Sequence, residues 1–206
     1  QAAGKVSVDV IAAGLDLLSL SAHKIGGPAG VGALYVREGL DLSAQQSGGG
    51  QEKGRRSGTE NKLGIVGFGA AAEQALAQMD DWDRVRGLRD RFEQSVREAG
   101  PGARIFSAGT RRLPNTSCVS LAGARGETQV ISLDLAGVAV SSGSACSSGK
   151  VRRSHVLDAM DPGAPDAETA IRVSLGWDNT EEDVDRLVAA WRGLYNRATA
   201  DTQQSA

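Results

Sequence analysis

Lys24 stands in the stretch Ser21-Ala22-His23-Lys24-Ile25-Gly26-Gly27, behind an apolar run and ahead of a glycine-rich turn. An amine so placed sits at a strand end beside exposed backbone. A lysine that loses water there gives up its proton more readily and becomes a nucleophile for carbonyl carbon. Ser21 and His23 flank it with donors suited to phosphate. The same spacing also fits an ordinary surface lysine after an edge strand. A second stretch, Gly48–Asn61 (GGGQEKGRRSGTEN), puts glycines, two arginines, Ser57 and Thr59 ahead of an expected helix. It offers backbone amides and positive charge to an anion, although a solvated loop has the same composition. Cys146 lies in SSGSACSSGK, Ser141–Lys150, where no apolar residue is larger than alanine. Nearby Lys150, Arg152 and Arg153 favour a thiolate, and a merely accessible thiol would look alike. Cys118, in NTSCVSL, reads instead as a small buried strand residue.

Two glycine patterns imitate nucleotide sites. Gly143 to Lys150 resembles a phosphate-binding loop, but five residues separate its glycines where four are needed. Val151 also replaces the Ser or Thr that would hold magnesium. GFGAAA, Gly67–Ala72, fits a dinucleotide pattern, yet it runs straight into an alanine-rich helix. A tight glycine-bearing helix contact is the expected reading.

The elements that must position these residues follow from hydrophobic period. Val6–Val10, Leu15–Leu20 and Val31–Val36 read as buried strands, and Leu40–Asn61 as a long polar connection. A helical period begins near Leu63. Trp82, Val85, Leu88, Phe92 and Val96 then form one apolar stripe, stopped by Gly100-Pro101-Gly102. Arg104–Phe106, Thr116–Leu121, Val130–Leu135 and Ala170–Leu175 read as strands. Thr180 and Asp183 start a closing helix with Val184, Leu187, Val188, Trp191 and Tyr195 on its apolar face, and the last seven residues are expected to fray. The organisation is α/β over 1–80 and α+β over 81–206.

Composition narrows the function classes. A net charge of −2 makes no broad case for nucleic acid or an anionic membrane, and no apolar run reaches a membrane span. Two cysteines suit neither a disulfide framework nor a four-ligand zinc site, so a reducing cytoplasm is expected and no metal. Glycine, at 27 of 206 residues, is in excess, which suggests backbone closely approaching something. The sequence opens on Gln1-Ala2-Ala3 without an initiating Met and reads as a cut end or internal starting point.

Taken together, SLSAHKIGGPAGVGALYVREG, GGGQEKGRRSGTEN, SSGSACSSGK and AIRVSLGWDNTEEDVDRLV, in this order and spacing, resemble the cysteine desulfurases. These are class V aminotransferase-like enzymes dependent on pyridoxal 5′-phosphate that supply sulfur for iron–sulfur clusters. The resemblance is to their C-terminal half. It implies pyridoxal-phosphate fold type I, with 1–80 the C-terminal part of the large cofactor domain and 81–206 the small domain carrying the cysteine loop. By the same resemblance Lys24 is the lysine that joins covalently to the cofactor, and Ser21 and His23 hold its phosphate. Thr59 reaches the phosphate of a partner subunit's cofactor, which implies a homodimer. Gln1 lies beside the pyridoxal 3′-oxygen, Arg172 grips the substrate carboxylate, and Cys146 is the catalytic cysteine on a long, mobile loop.

The implied reaction takes sulfur from L-cysteine, leaving L-alanine and a persulfide for an iron–sulfur scaffold or other acceptor protein. The sequence departs from the family in carrying Gln51 where histidine is common. The family's pyridine-pairing aspartate, ring-stacking histidine and a further phosphate-binding threonine fall ahead of Gln1. Two alternatives follow: a selenocysteine lyase or related class V enzyme, and an inactive fragment competent only for dimer or partner contacts.

Overall fold

Leu17–Ser21 (β1) and Gly32–Val36 (β2) pair antiparallel, Leu17 opposite Val36 and Ser21 opposite Gly32. They belong to the first of two compact units, Gln1–Asp80 and Asp81–Ala206. The computed structural model describes residues 1–143, 154–161 and 166–204.

Between β1 and β2 the chain makes a 3-10 turn, Ala22–Ile25. Gly26 ends it at φ 86°, a left-handed conformation that costs glycine nothing, and its N–H donates to the Ala22 carbonyl. After a connection containing a second 3-10 turn, Gln51–Gly54, comes helix α1, Lys62–Ala77. Asn61 caps α1 by accepting the Gly64 N–H at 3.1 Å. The GFGAAA segment lies inside this helix, where a Cβ on Gly67 would stand 2.6 Å from Pro28 Cγ. Its glycine therefore serves a close helix contact, as the sequence suggested.

The strands of this unit are not the buried ones expected. Val6–Val10 forms no strand: the Asp9 carboxylate accepts the N–H groups of Ile11 and Ala12, both at 2.9 Å, and that turn bends the chain out of extension. β1 and β2 are at most half-buried. Leu63, Val66 and Leu76 of α1 are 89, 71 and 76% exposed, so this unit buries little apolar surface by itself.

The second unit begins with helix α2, Asp81–Ala99, which buries the predicted stripe of Trp82, Val85, Leu88, Phe92 and Val96. Ala103–Ile105 (β3), Thr116–Leu121 (β4), Ser141–Ser142 (β5) and Ala170–Ser174 (β6) form an antiparallel sheet in the order β3-β4-β6-β5. Alternate residues Val119, Leu121, Ile171 and Val173 pack with α2 and the closing helix α6, Glu181–Gln204. The opposite face holds a smaller cluster of Phe106, Leu157, Ala167 and Ala170, with Cys118 against it. Leu157 comes from the short helix α4, His155–Met160, and Ala167 from α5, Asp166–Thr169.

Val130–Leu135, read as a strand, is instead part of helix α3, Gly126–Leu135. Its buried residues Gly126, Gln129 and Leu133 are three and four apart, and the Gln129 amide donates to the Ala124 carbonyl at 2.8 Å. A run of apolar letters hid that helical spacing. Helix α6 runs to Gln204, and the last two of the seven residues expected to fray lie outside the described residues. The Thr180–Asp183 box is present: the Asp183 N–H donates to Thr180 Oγ1, and the Thr180 N–H donates to the Asp183 carboxylate.

Gly100 ends α2 beneath two stacked rings, Trp191 and Tyr195, with centroids 5.5 Å apart. A Cβ there would lie 2.6 Å from Trp191 Cη2 and 2.9 Å from Tyr195 Cε2. Gly100→Ala is expected to lower stability by about 1–3 kcal/mol, the cost of overpacking a filled core. Urea unfolding followed by tryptophan fluorescence would show it, and an unchanged midpoint would mean that the rings have room.

Candidate active site

The Ala22–Ile25 turn carries three of the predicted residues. Ser21, His23 and Lys24 are all exposed at the end of β1, while Ala22 between them is fully buried and anchors the turn. The set holds a hydroxyl, an imidazole and a primary amine within four residues. The first two can donate to phosphate oxygens and the third can attack a carbonyl. Among the described residues no carboxylate forms an ion pair with Lys24.

Gln1 is brought beside this turn by a residue the sequence reading passed over. The Lys5 ammonium donates to the Gln1 carbonyl at 3.2 Å and to the Lys24 carbonyl at 3.5 Å. Burial first, and the Lys24 ammonium second, hold the Lys5 amine below the usual lysine value.

Thr59 is placed elsewhere, exposed in the Gly48–Asn61 connection. That loop is held internally: the Ser57 N–H donates to the Gln46 carbonyl at 3.1 Å, and Arg56 donates to the Gly58 carbonyl at 3.1 Å. Glu52 and Lys53 take left-handed conformations at φ 50° and 59°, a costly backbone for residues with a Cβ. No hydrogen bond joins Thr59 to the Lys24 turn among the described residues.

Arg172 belongs to the second unit. It sits mid-strand on β6, with Cys118 of β4 and Ser141 of β5 paired to it on either side. It is half-buried, and no carboxylate of the described residues forms an ion pair with it. Arg104, on β3 of the same sheet, differs. It donates to Asp161 at 2.8 Å and Asp166 at 3.0 Å, and its guanidinium stands over the Phe106 ring. Arg172 is thus a half-buried cation with no ion-pair partner among the described residues, and its planar fork has the geometry for a carboxylate. Cys146, with Lys150, Arg152 and Arg153, lies outside the described residues.

Cys118 is half-buried against the smaller cluster, and burial pushes its thiol up to about 11 against a smaller downward pull from Arg172. At pH 8 about one molecule in a thousand carries the thiolate there. Iodoacetamide is therefore expected to modify Cys118 about a hundredfold more slowly than a free cysteine at that pH, read by mass spectrometry of the native chain. Equal rates would show that the thiol is not shielded. The chain has two cysteines, so fast labelling would report Cys146.

Comparison with known proteins gives one consistent picture. The aminotransferase class-V family model matches residues 1–187. A cysteine desulfurase of Cereibacter sphaeroides is 49% identical over 188 residues, 91% of this chain and 48% of that protein. The cysteine desulfurase NifS of Azotobacter vinelandii is 42% identical over 189 residues, covering 91% of this chain and 47% of the relative. The crystal structure of a NifS-like protein from Rickettsia africae superposes with a TM-score of 0.83 at 33% identity, over 94% of this chain and 51% of the other. The chain spans about half the length of the curated relatives it matches.

Proposed function

Because the chain belongs to the class-V aminotransferase family, we propose that it forms the C-terminal half of a pyridoxal-phosphate-dependent cysteine desulfurase. The carrying observation is the exposed Ser21-Ala22-His23-Lys24 turn, closed by left-handed Gly26. Its donor set fits the cofactor: hydroxyl and imidazole for the phosphate, and an amine for the aldehyde carbon. Gln1, held next to the turn through Lys5, would face the ring's 3′-oxygen.

When bound, the cofactor supplies an electron sink for negative charge at the substrate α-carbon. The protein's own groups do the rest. Lys24 would hold the cofactor covalently through its amine, and the same amine would take the proton from the substrate Cα and return a proton to the product. Arg172 holds the substrate carboxylate in its bidentate fork. The Cys146 thiolate attacks the substrate sulfur. An S–S bond forms, the Cβ–S bond breaks with its electron pair left on carbon, and protonation gives alanine. Cys146 then carries the extra sulfur as a persulfide for transfer to an acceptor protein.

The exposed apolar face of α1 supports a larger assembly. Leu63, Val66 and Leu76 would be covered by a second subunit and by the rest of a full-length protein, and Thr59 just ahead of α1 would reach a partner's cofactor phosphate. A reducing compartment such as the cytoplasm suits a free persulfide chemistry.

The test is direct. Pyridoxal phosphate is added to the full-length protein, borohydride reduces the linkage, and peptide mass spectrometry locates it. Modification on Lys24 supports the reading. A protein that binds no cofactor, or binds it at another lysine, sinks it. Sulfide and alanine released in equal amounts from L-cysteine would separate a desulfurase from a lyase restricted to selenocysteine.

A further inference from the structure

The sequence marks Lys5 with no motif of its own, yet its ammonium lies at the centre of the contacts around Lys24. Its main chain is fixed first. The N–H groups of Lys5 and Val6 both donate to the Ala2 carbonyl, at 3.0 and 3.1 Å, which closes a tight turn. The middle of that turn rests on the Lys24 element: a Cβ on Gly4 would meet Ile25 Cγ2 at 3.4 Å and Ala75 Cβ of α1 at 3.0 Å. From this seat the half-buried lysine stem sends its amine to two carbonyls. One is that of Gln1, 3.2 Å away, and the other is that of Lys24, 3.5 Å away. The second acceptor is a carbonyl in the last turn of a short helical segment, where intrahelical donors run out and a cation is favoured.

We propose that Lys5 is a positioning residue for Lys24: its ammonium bridges the Gln1 and Lys24 carbonyls and so fixes the turn that presents the Lys24 amine against the chain bearing Gln1. The inference rests on the cofactor reading above, in which Gln1 and Lys24 meet the same ring. Exposed lysines usually extend into water, whereas this one is drawn back toward another ammonium. Burial and that neighbour together lower its own proton affinity, a cost the two carbonyl bonds offset. A surface lysine would have no reason to stay there.

The experiment compares native full-length protein with Lys5→Met, which keeps the stem, and Lys5→Arg, which keeps the cation and its donors. Without cofactor, hydrogen exchange is followed across 22–27, where the Gly27 N–H bonds the Ala22 carbonyl at 2.9 Å. Amides of α2 serve as the control for global folding. With cofactor, borohydride trapping on Lys24 is measured against pyridoxal phosphate concentration. Lys5→Met is expected to exchange about tenfold faster in this turn and to need about tenfold more cofactor, as the loss of a charge-assisted hydrogen bond gives. Lys5→Arg is expected to restore most of both. A Lys5→Met protein that matches native in either readout overturns the proposal, and so does a Lys5→Arg protein as impaired as Lys5→Met. Absence of Lys24 trapping in the native protein overturns the cofactor reading itself, and that outcome is visible before any variant is made.

Discussion

Lys24→Ala in the full-length protein is expected to lower the rate of alanine formation from L-cysteine by about 10³-fold or more, because one side chain is asked for two services. On the proposed chemistry its amine would hold the cofactor aldehyde and would also carry the Cα proton. On that chemistry, removing it would leave the Ser21 hydroxyl and His23 imidazole for phosphate but no primary amine in the turn to bond carbon. Cofactor binding should weaken and survive in part, while borohydride trapping vanishes. Lys24→Arg should not rescue the rate, since guanidinium does not give up its proton in the accessible range. Parallel circular dichroism separates this from misfolding, because the Lys24 side chain is exposed. A Lys24→Ala protein that keeps a tenth of native turnover would remove the residue from the chemistry.

The largest stability effect is expected from Glu93→Ala, at about 3–5 kcal/mol. Glu93 is a carboxylate on α2 with a side chain only 2% exposed. Both its oxygens accept from Arg112, each at 2.6 Å, in a bidentate pair, and Arg97 approaches one of them at 3.5 Å. Arg112 also donates to the Thr116 carbonyl at the start of β4, so the pair ties α2 to the sheet. Truncation would leave a cation largely buried without its counter-charge. Replacing both partners with apolar residues of similar size should cost less than Glu93→Ala alone, because no charge is then stranded. A single variant no worse than the double one would show that water already reaches the site.

The same pair sets a pH dependence. Burial pushes the Glu93 carboxyl up, but hydrogen bonding and charge from Arg112 outweigh it and hold the group below its usual value. A carboxylate depressed on folding contributes stability that is complete above the ordinary carboxylate range and is lost as pH falls through the folded value. Native stability should therefore fall on acidification below about pH 4.5, and that fall should be shallower in the double apolar variant. Urea midpoints at a series of pH values would show both slopes.

Elements with a strong, unbroken period were legible in the sequence. The α2 stripe, β4, β6 and the capped start of α6 stand where the pattern put them, because each buries one face of a long amphipathic segment. Val130–Leu135 misled because its apolar letters are dense while its burial runs through Gln129 and Gly126, residues hydropathy does not mark. Val6–Val10 misled because a single Asp9 carboxylate, satisfying two amides, outweighs β propensity where the chain has no ladder to join. β5 was invisible at two residues. On the site, Ser21, His23 and Lys24 could be read as one group since they fall within four residues. Lys5 could not: it lies nineteen positions before Lys24, and only the folded turn shows what its amine reaches. The role proposed for Arg172 needed the resemblance, because no spacing rule separates it from an arginine paired internally like Arg104.

The brevity of β5 has a mechanical consequence. Ser142 is its last paired residue, held opposite Ile171, and Ser141 on the same strand is held opposite Arg172. Cys146 follows four residues later in the sequence, and four residues of chain reach at most about 14 Å. The leash starts one residue beyond the rung that bears Arg172. On the proposed chemistry, collection and delivery of sulfur both fall inside one short radius drawn from the sheet edge. On that proposal an acceptor thiol would have to come within the same chain length of the β5 edge.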